Sequence, residues 1–319
     1  MRIGVVVRPL NDANLRLAAQ IGADEVCAGI SHEFGRVWSP EEITGLKRRI
    51  EGFGLRWRVV ETLPVSDAIK LGLEGRDAEI DALRETIRNL GAAGLDTAVY
   101  TWTAVFSWLR TDLAVPVRGG GLATGYDHAA MQSRPPSNVT VREDRLWETL
   151  EYFLRAIVPV AEDAGVKLAL HPDDPPLSPV RGVGRIMISP QNFQRALDLV
   201  PSEVNGMTLC QGCFSEMGVD VPREIARFTG QGRVNFAHFR NLRGTAQRFT
   251  EQFHDDGDVD MAAIMRAFLD AGYTGAMRPD HVPLMEGDGS EDPGYTMTGR
   301  LFAVGYMRGL MHALRGDRR

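Results

Sequence analysis

Four side chains able to bind a metal fall at the ends of four successive apolar runs. His171 closes "KLALH" (167–171), Cys210 closes "GMTLC" (206–210), His238 lies at the end of "VNFAHF" (234–239), and Asp280 follows "GAMRP" (275–279). Two imidazoles, a thiolate and a carboxylate suffice to hold one divalent cation with room left for substrate oxygens. The set does not choose the ion: the thiolate favours zinc or iron, whereas a carboxylate and open positions admit manganese. Any one of the four alone reads as a structural residue with its partners satisfied. Four at equivalent positions point to a site. Asp280 is followed at once by His281, an acid beside a base. Neighbouring side chains of a strand point to opposite faces, so both reach one site only if the strand has ended between them.

Cys213 competes with Cys210, because "CQGC" is a C-x-x-C that reads as half a zinc site or a redox pair. The chain has no second C-x-x-C, which excludes an all-cysteine zinc site. Cys210 at the strand end is the expected ligand and Cys213, three residues into a loop, the bystander. Further polar groups gather at the same ends. Glu61 ends the third strand, Arg240 and Asn241 follow His238, Arg110 sits in "FSWLRTDL", and Lys70 lies in the loop after the third strand. A metal beside several cations suits an acidic, oxygen-rich small molecule. Each cation alone reads as a solvated surface charge, Lys70 above all. Trp102 and Trp108 fit a pocket wall and plain loop packing equally. His32, His128, His254 and His312 read as ordinary residues. "DDGDVD" lacks the later Glu of a calcium loop.

The elements that must position these groups alternate along the chain. Strands are expected at "RIGVVV" (2–7), "EVCAGI" (25–30), "RWRVVET" (56–62) and "TAVYT" (97–101), then at the four runs above. A helical pattern follows each. The second helix starts at "SPEE", with Ser39 as N-cap and Pro40 at the first helical position. Pro159 is expected to bend or break the helix in "REDRLWETLEYFLRAIVPVAEDAG". A connection from Trp102 to about Val141 is long enough to suggest function or disorder. Eight strand–helix units point to a (β/α)8 barrel, whose active site lies at the C-terminal strand ends. A doubly wound open sheet is the alternative, weakened by the lack of a G-x-G-x-x-G after the first strand. No linker or repeat divides residues 1–319, so one catalytic domain is expected.

Composition narrows the function classes. The net charge of -6 and the absence of a long basic run speak against nucleic acid. Three cysteines suit a reducing compartment rather than a disulfide scaffold. No apolar stretch suits a signal peptide or a bilayer, so a cytoplasmic protein without a membrane partner is expected. Barrels of this type often pair, and a homo-oligomer, dimer or higher, is expected.

The residues resemble the mannonate dehydratases of hexuronate breakdown, as a divergent, short member. The likeness runs from "VWSPEEI" to the last helix, through "VVETLPVSDAIKLGLEGRD", "IRNLGAAG", "WLRTDL", "LHPDDPP", "NFAHFRN", "DGDVDM", "RPDH" and "PGY". The resemblance implies a xylose-isomerase-like barrel and a hydro-lyase that converts D-mannonate to 2-dehydro-3-deoxy-D-gluconate and water. It implies a bound divalent metal, usually Mn2+, with Fe2+, Co2+ or Zn2+ as alternatives, held by His171, Cys210, His238 and Asp280. It assigns acid–base work to His281 and, in "PGYTM", to Tyr295. Arg110 is then expected to hold the substrate's carboxylate end, with Glu61, Lys70, Arg240 and Asn241 completing the binding set. Three positions depart from the family pattern near the expected pocket: Ser66 stands where a His is usual, Cys213 lies in "CQGCF" where "CTGSL" is usual, and Val282 replaces a small residue. Other readings are a metal-dependent sugar isomerase or epimerase on a similar barrel, and a barrel that binds a sugar acid without turnover.

Overall fold

Among the described residues the chain forms twelve strands, the barrel ones from the short apolar runs: β1 (Arg2–Val5), β2 (Glu25–Ala28), β3 (Arg56–Val60), β4 (Thr97–Thr101), β5 (Asp112–Pro116), β6 (Leu122–Asp127), β7 (Lys167–His171), β8 (Asn205–Cys210), β9 (Val234–Phe239), β10 (Leu242–Thr245), β11 (Arg248–Glu251) and β12 (Ala276–Pro279). The computed structural model describes residues 1–289 and 291–316. Eight strands pair in parallel and close on themselves in the order β1-β12-β9-β8-β7-β4-β3-β2. All eight lie in or within a residue of the runs read from the sequence. Closure excludes the doubly wound open sheet.

Strand parity explains where the site sits. Val6, Cys27, Val59, Val99, Ala169, Phe236 and Ala276 form a small apolar plug separate from the main core. Two residues beyond Ala169 is His171, and two beyond Phe236 is His238. Two and four beyond Ala276 are Arg278 and Asp280. Side chains two apart share a face, so the metal-ligating types stand directly above the plug, at the C-terminal rim. The Phe236 and His238 rings meet edge to face at 5.2 Å.

The outer helices start where capping chemistry says they should. Ser39 accepts from the Glu42 amide, Glu42 returns a bond to the Ser39 amide, and Pro40 opens the helix Pro40–Glu51. Gly91 lets the helix Arg76–Ala92 lie against Ala164, whose carbonyl oxygen would be 2.3 Å from a Cβ added there. Among the described residues no helix is long and apolar enough to cross a membrane.

Three local expectations change. The helix Glu143–Ala164 runs on through Pro159. Pro159 and Arg155 both lie on the exposed side of the helix, where a carbonyl left without its intrahelical donor is not sealed from solvent. The connection from Trp102 to Val141 is not a bare loop. It carries β5 and β6, which join β10 and β11 in a second, antiparallel sheet of order β10-β11-β6-β5. The segment after Cys210 is a short helix, Gln211–Glu216, that contains Cys213.

Candidate metal centre and adjoining cavity

His171, Cys210, His238 and Asp280 each offer one ligand atom, all within 4.8 Å of one another, and all but the half-buried His171 are buried. The register brings them together: Cys210 lies opposite His238 in the β8–β9 ladder. Asp280 follows β12 yet its amide still donates to the Phe239 carbonyl at 2.9 Å. It therefore keeps the inward direction of the strand, and the chain turns away only at His281. An acid and a base side by side can therefore both face the rim.

Three of these four side chains are held by a partner outside the group. His171 Nδ1 lies 2.7 Å from the Pro172 carbonyl, so it carries the proton and leaves Nε2 free. His171 Nε2 faces His238 Nδ1 at 3.1 Å. His238 Nε2 stands 3.1 Å from Glu61 Oε1, a close charge contact rather than an aligned hydrogen bond. Arg278 donates from Nη1 to Asp280 Oδ1 at 2.8 Å and from Nε to Glu61 Oε2 at 2.7 Å. That leaves Asp280 Oδ2 turned to Cys210 Sγ at 3.7 Å.

The electrostatics fit a divalent cation. Burial alone pushes the Cys210 thiol up. A hydrogen bond from Cys213, the Arg240 charge and the two imidazoles outweigh it, and the thiol falls well below its ordinary value. Burial likewise disfavours the Asp280 carboxylate, but His281, Arg278 and His238 hold it well below the usual range. Burial and Arg278 push His238 down, yet Asp280 and Glu61 prevail and raise it to about 10. Two anionic donors thus face a His238 whose positive charge they favour, and a divalent cation in the space between the four side chains would take over that role. The donor set fits a metal; nothing in it selects which one.

Next to this group lies a cavity of about 240 Å3. Its walls include Glu61, Arg278, Trp108 and the hydroxyl-bearing Thr62, Thr101, Thr103 and Ser107, with His281 and Tyr295 at one side. His281 Nε2 is 2.9 Å from Tyr295 Oη, and Trp108 packs its ring 5.2 Å from the imidazole. Burial and the Asp280 and Glu61 charges push the Tyr295 phenol up against the nearby Arg278, so it stays protonated.

Behind His281 is a buried charge cluster. Arg110 binds Asp174 through both ends of its fork, at 2.8 and 3.0 Å, and Glu251 Oε1 at 2.5 Å. Arg240 reaches Asp174 at 2.6 Å and also bonds Glu216. Asp174, Glu251 and His281 resemble a second metal group, but the two guanidiniums already supply its positive charge.

The expected substrate set is therefore only partly at the cavity. Glu61 lines it. Arg110 and Arg240 do not, and their terminal nitrogens bond the buried carboxylates of Asp174, Glu251 and Glu216. Lys70 is buried rather than a surface charge. Its Nζ donates to the Thr103 carbonyl at 2.9 Å, and burial pulls its pKa down to about 8 against Asp67 and Asp173. Asn241 ties its own loop to the His254 carbonyl at 3.1 Å. Trp102 packs under the helix, donating to the Leu146 carbonyl, whereas Trp108 faces the cavity. The three departures from the family pattern lie off the cavity wall. Ser66 caps the helix Asp67–Leu71 and donates to Glu79, Cys213 accepts from Arg240 at 3.7 Å, and Val282 pairs with Gly294. Sequence reading missed Arg278, Asp174 and Glu251. Parity two residues before Asp280 could have found Arg278; Glu251 lies in a strand hidden within an unassigned connection.

Fold and site together define a (β/α)8 barrel with a candidate buried His–Cys–Asp metal group at its C-terminal rim. A family model described as D-mannonate dehydratase (UxuA) matches residues 9–143 and 136–319. The chain belongs to the D-mannonate dehydratase family, a family of hydro-lyases. Mannonate dehydratase 2 of Halalkalibacterium halodurans is 36% identical, with 88% of this chain and 89% of that protein covered. The crystal structure of mannonate dehydratase from Streptococcus suis serotype 2 superposes with a TM-score of 0.94 at 34% identity, covering 100% of this chain and 94% of that one. A xylose isomerase domain protein from Alicyclobacillus acidocaldarius shares the fold, with a TM-score of 0.66 at 14% identity over 99% of each chain.

Proposed function

We propose that residues 1–319 act as one catalytic barrel that dehydrates D-mannonate to 2-dehydro-3-deoxy-D-gluconate, with a divalent metal, Mn2+ first, held by His171, Cys210, His238 and Asp280. The observation that carries this reading is the meeting of that group and the His281–Tyr295 pair at one cavity, in a chain of this family. The reaction removes a weakly acidic proton next to a carboxylate and expels a neighbouring hydroxyl. A divalent ion bound at the four residues supplies Lewis acidity that stabilises the developing negative charge.

The protein's own groups do the rest. His281 Nε2 and Tyr295 Oη, 2.9 Å apart at the cavity, divide the proton transfers. The phenol stays protonated and suits the acid that meets the departing hydroxyl; the imidazole suits the base. Trp108 covers the pair and limits water. The Thr62, Thr101, Thr103 and Ser107 hydroxyls match a polyol chain, and Glu61 with Arg278 fixes the wall beneath it. The test is purified protein with Mn2+ and a panel of hexonates, followed by detection of a 2-keto-3-deoxy acid. Product from D-mannonate supports the reading. Metal-dependent binding of every hexonate without product, or ketose formation from an aldose, overturns it.

A further inference from the structure

The sheet outside the barrel delivers a carboxylate to the back of the imidazole. Glu251, the last residue of β11, is buried, and its Oε1 lies 2.8 Å from His281 Nδ1. The other ring nitrogen faces Tyr295 Oη at 2.9 Å. We propose that Glu251 is a positioning residue for His281, holding the imidazole in its Nδ1–H tautomer and aiming the Nε2 lone pair at Tyr295 and the cavity. This rests on the reading of His281 and Tyr295 as the acid–base pair.

The tautomer follows from who can donate. An ionised carboxylate only accepts. An Nδ1 lone pair would therefore face a carboxylate oxygen at 2.8 Å, lone pair against lone pair. Two other donors approach Nδ1: Arg110 Nη2 at 3.3 Å and Arg240 Nη1 at 3.2 Å. Both are already committed. Arg110 Nη2 serves Asp174 Oδ2 at 3.0 Å and Glu251 Oε1 at 2.5 Å. Arg240 Nη1 serves Asp174 Oδ2 at 2.6 Å and Glu251 Oε1 at 3.3 Å. Each nitrogen has two hydrogens and two carboxylate acceptors, so the proton between His281 and Glu251 belongs to Nδ1. Nε2 then accepts from the Tyr295 hydroxyl.

The sheet gives the contact its rigidity. β11 pairs with β6, Phe249 opposite Tyr126. Thr124 of β6 lies 3.3 Å from Arg110 Nε, so the same sheet steadies the carboxylate and one guanidinium that keeps it charged. The second sheet thus acts on the chemistry without touching the substrate.

The test pairs nitrogen-15 NMR of histidine-labelled protein with kinetics on D-mannonate. The His281 signals, assigned by difference from His281→Asn, are expected to show a protonated Nδ1 and an unprotonated Nε2 in the unmodified protein. Glu251→Gln is expected to mix the tautomers and lower kcat about 100-fold or more, the scale on which a mis-set histidine tautomer acts. KM and metal content stay near the unmodified values, and Glu251→Asp recovers part of kcat. An unprotonated Nδ1 in the unmodified protein overturns the proposal whether or not the variant folds, as does an unchanged kcat in Glu251→Gln. Full turnover by His281→Asn, with the tautomer as stated, instead overturns the acid–base reading beneath it.

Discussion

His171 Nε2 and His238 Nδ1 face each other at 3.1 Å, and the far nitrogen of each ring is already engaged, one by the Pro172 carbonyl and the other by Glu61. The two rings cannot turn away without breaking those contacts. Cys210 on β8 and Asp280 after β12 close the same space from either side of β9. Four donors, three of them pinned from behind, make a preformed site, and its consequences can be measured.

Replacing the thiolate should separate the two cysteines of "CQGC". Cys210→Ser is expected to lower bound metal sharply, because a hydroxyl is a poor substitute for a thiolate donor. Cys213→Ser should retain metal near stoichiometric, since Cys213 only supports Cys210 and Arg240 from behind. Metal analysis of both variants decides this, and equal loss in the two would refute the assignment.

Glu61 backs His238 and also receives Arg278. Glu61→Gln should weaken metal binding about 10- to 100-fold, the usual effect of removing a ligand's outer partner, while leaving the barrel folded. Competition with a fluorescent chelator reads the change; an unaltered affinity would show that the His238 contact is incidental.

His281→Asn should keep the metal and lose turnover by at least about 100-fold, as expected for a missing general acid or base. If metal leaves with the side chain, His281 is a ligand instead.

A pH effect arises away from the site. His254 is buried, donates from Nε2 to the Phe239 carbonyl at 2.7 Å, and burial lowers its pKa to about 4. The unfolded chain binds a proton near pH 6.5 that the folded chain refuses until about 4. His254 thus adds nothing to acid sensitivity above pH 6.5, and its contribution to stability is lost as pH falls across that window. Relative to His254→Gln, the unmodified protein should lose about 2 kcal/mol more between pH 7 and 4.5. Urea unfolding at the two pH values checks this, and parallel losses would contradict it.

Much of the barrel was legible because period-2 apolar runs and capping signals are local. The candidate metal group was legible too, since strand-end residues share one rim by topology. The cation roles were not. Arg110, Lys70 and Arg240 have the composition of substrate binders, but whether a guanidinium meets solvent or a buried carboxylate depends on partners far away in sequence. Arg110 meets Glu251 across 141 positions. The second sheet escaped notice because β10 and β11 are four residues each, too short for a periodic signal, and β5 is largely exposed.

The central claim is that the four-residue group must be loaded for D-mannonate to lose water. The most direct measurement is product formation by metal-stripped protein as Mn2+ is titrated in. Turnover should be absent at the start, rise linearly and level off near one ion per chain, and Cys210→Ser should show no such rise. Full turnover by the stripped protein, or an unchanged titration in Cys210→Ser, would contradict the account.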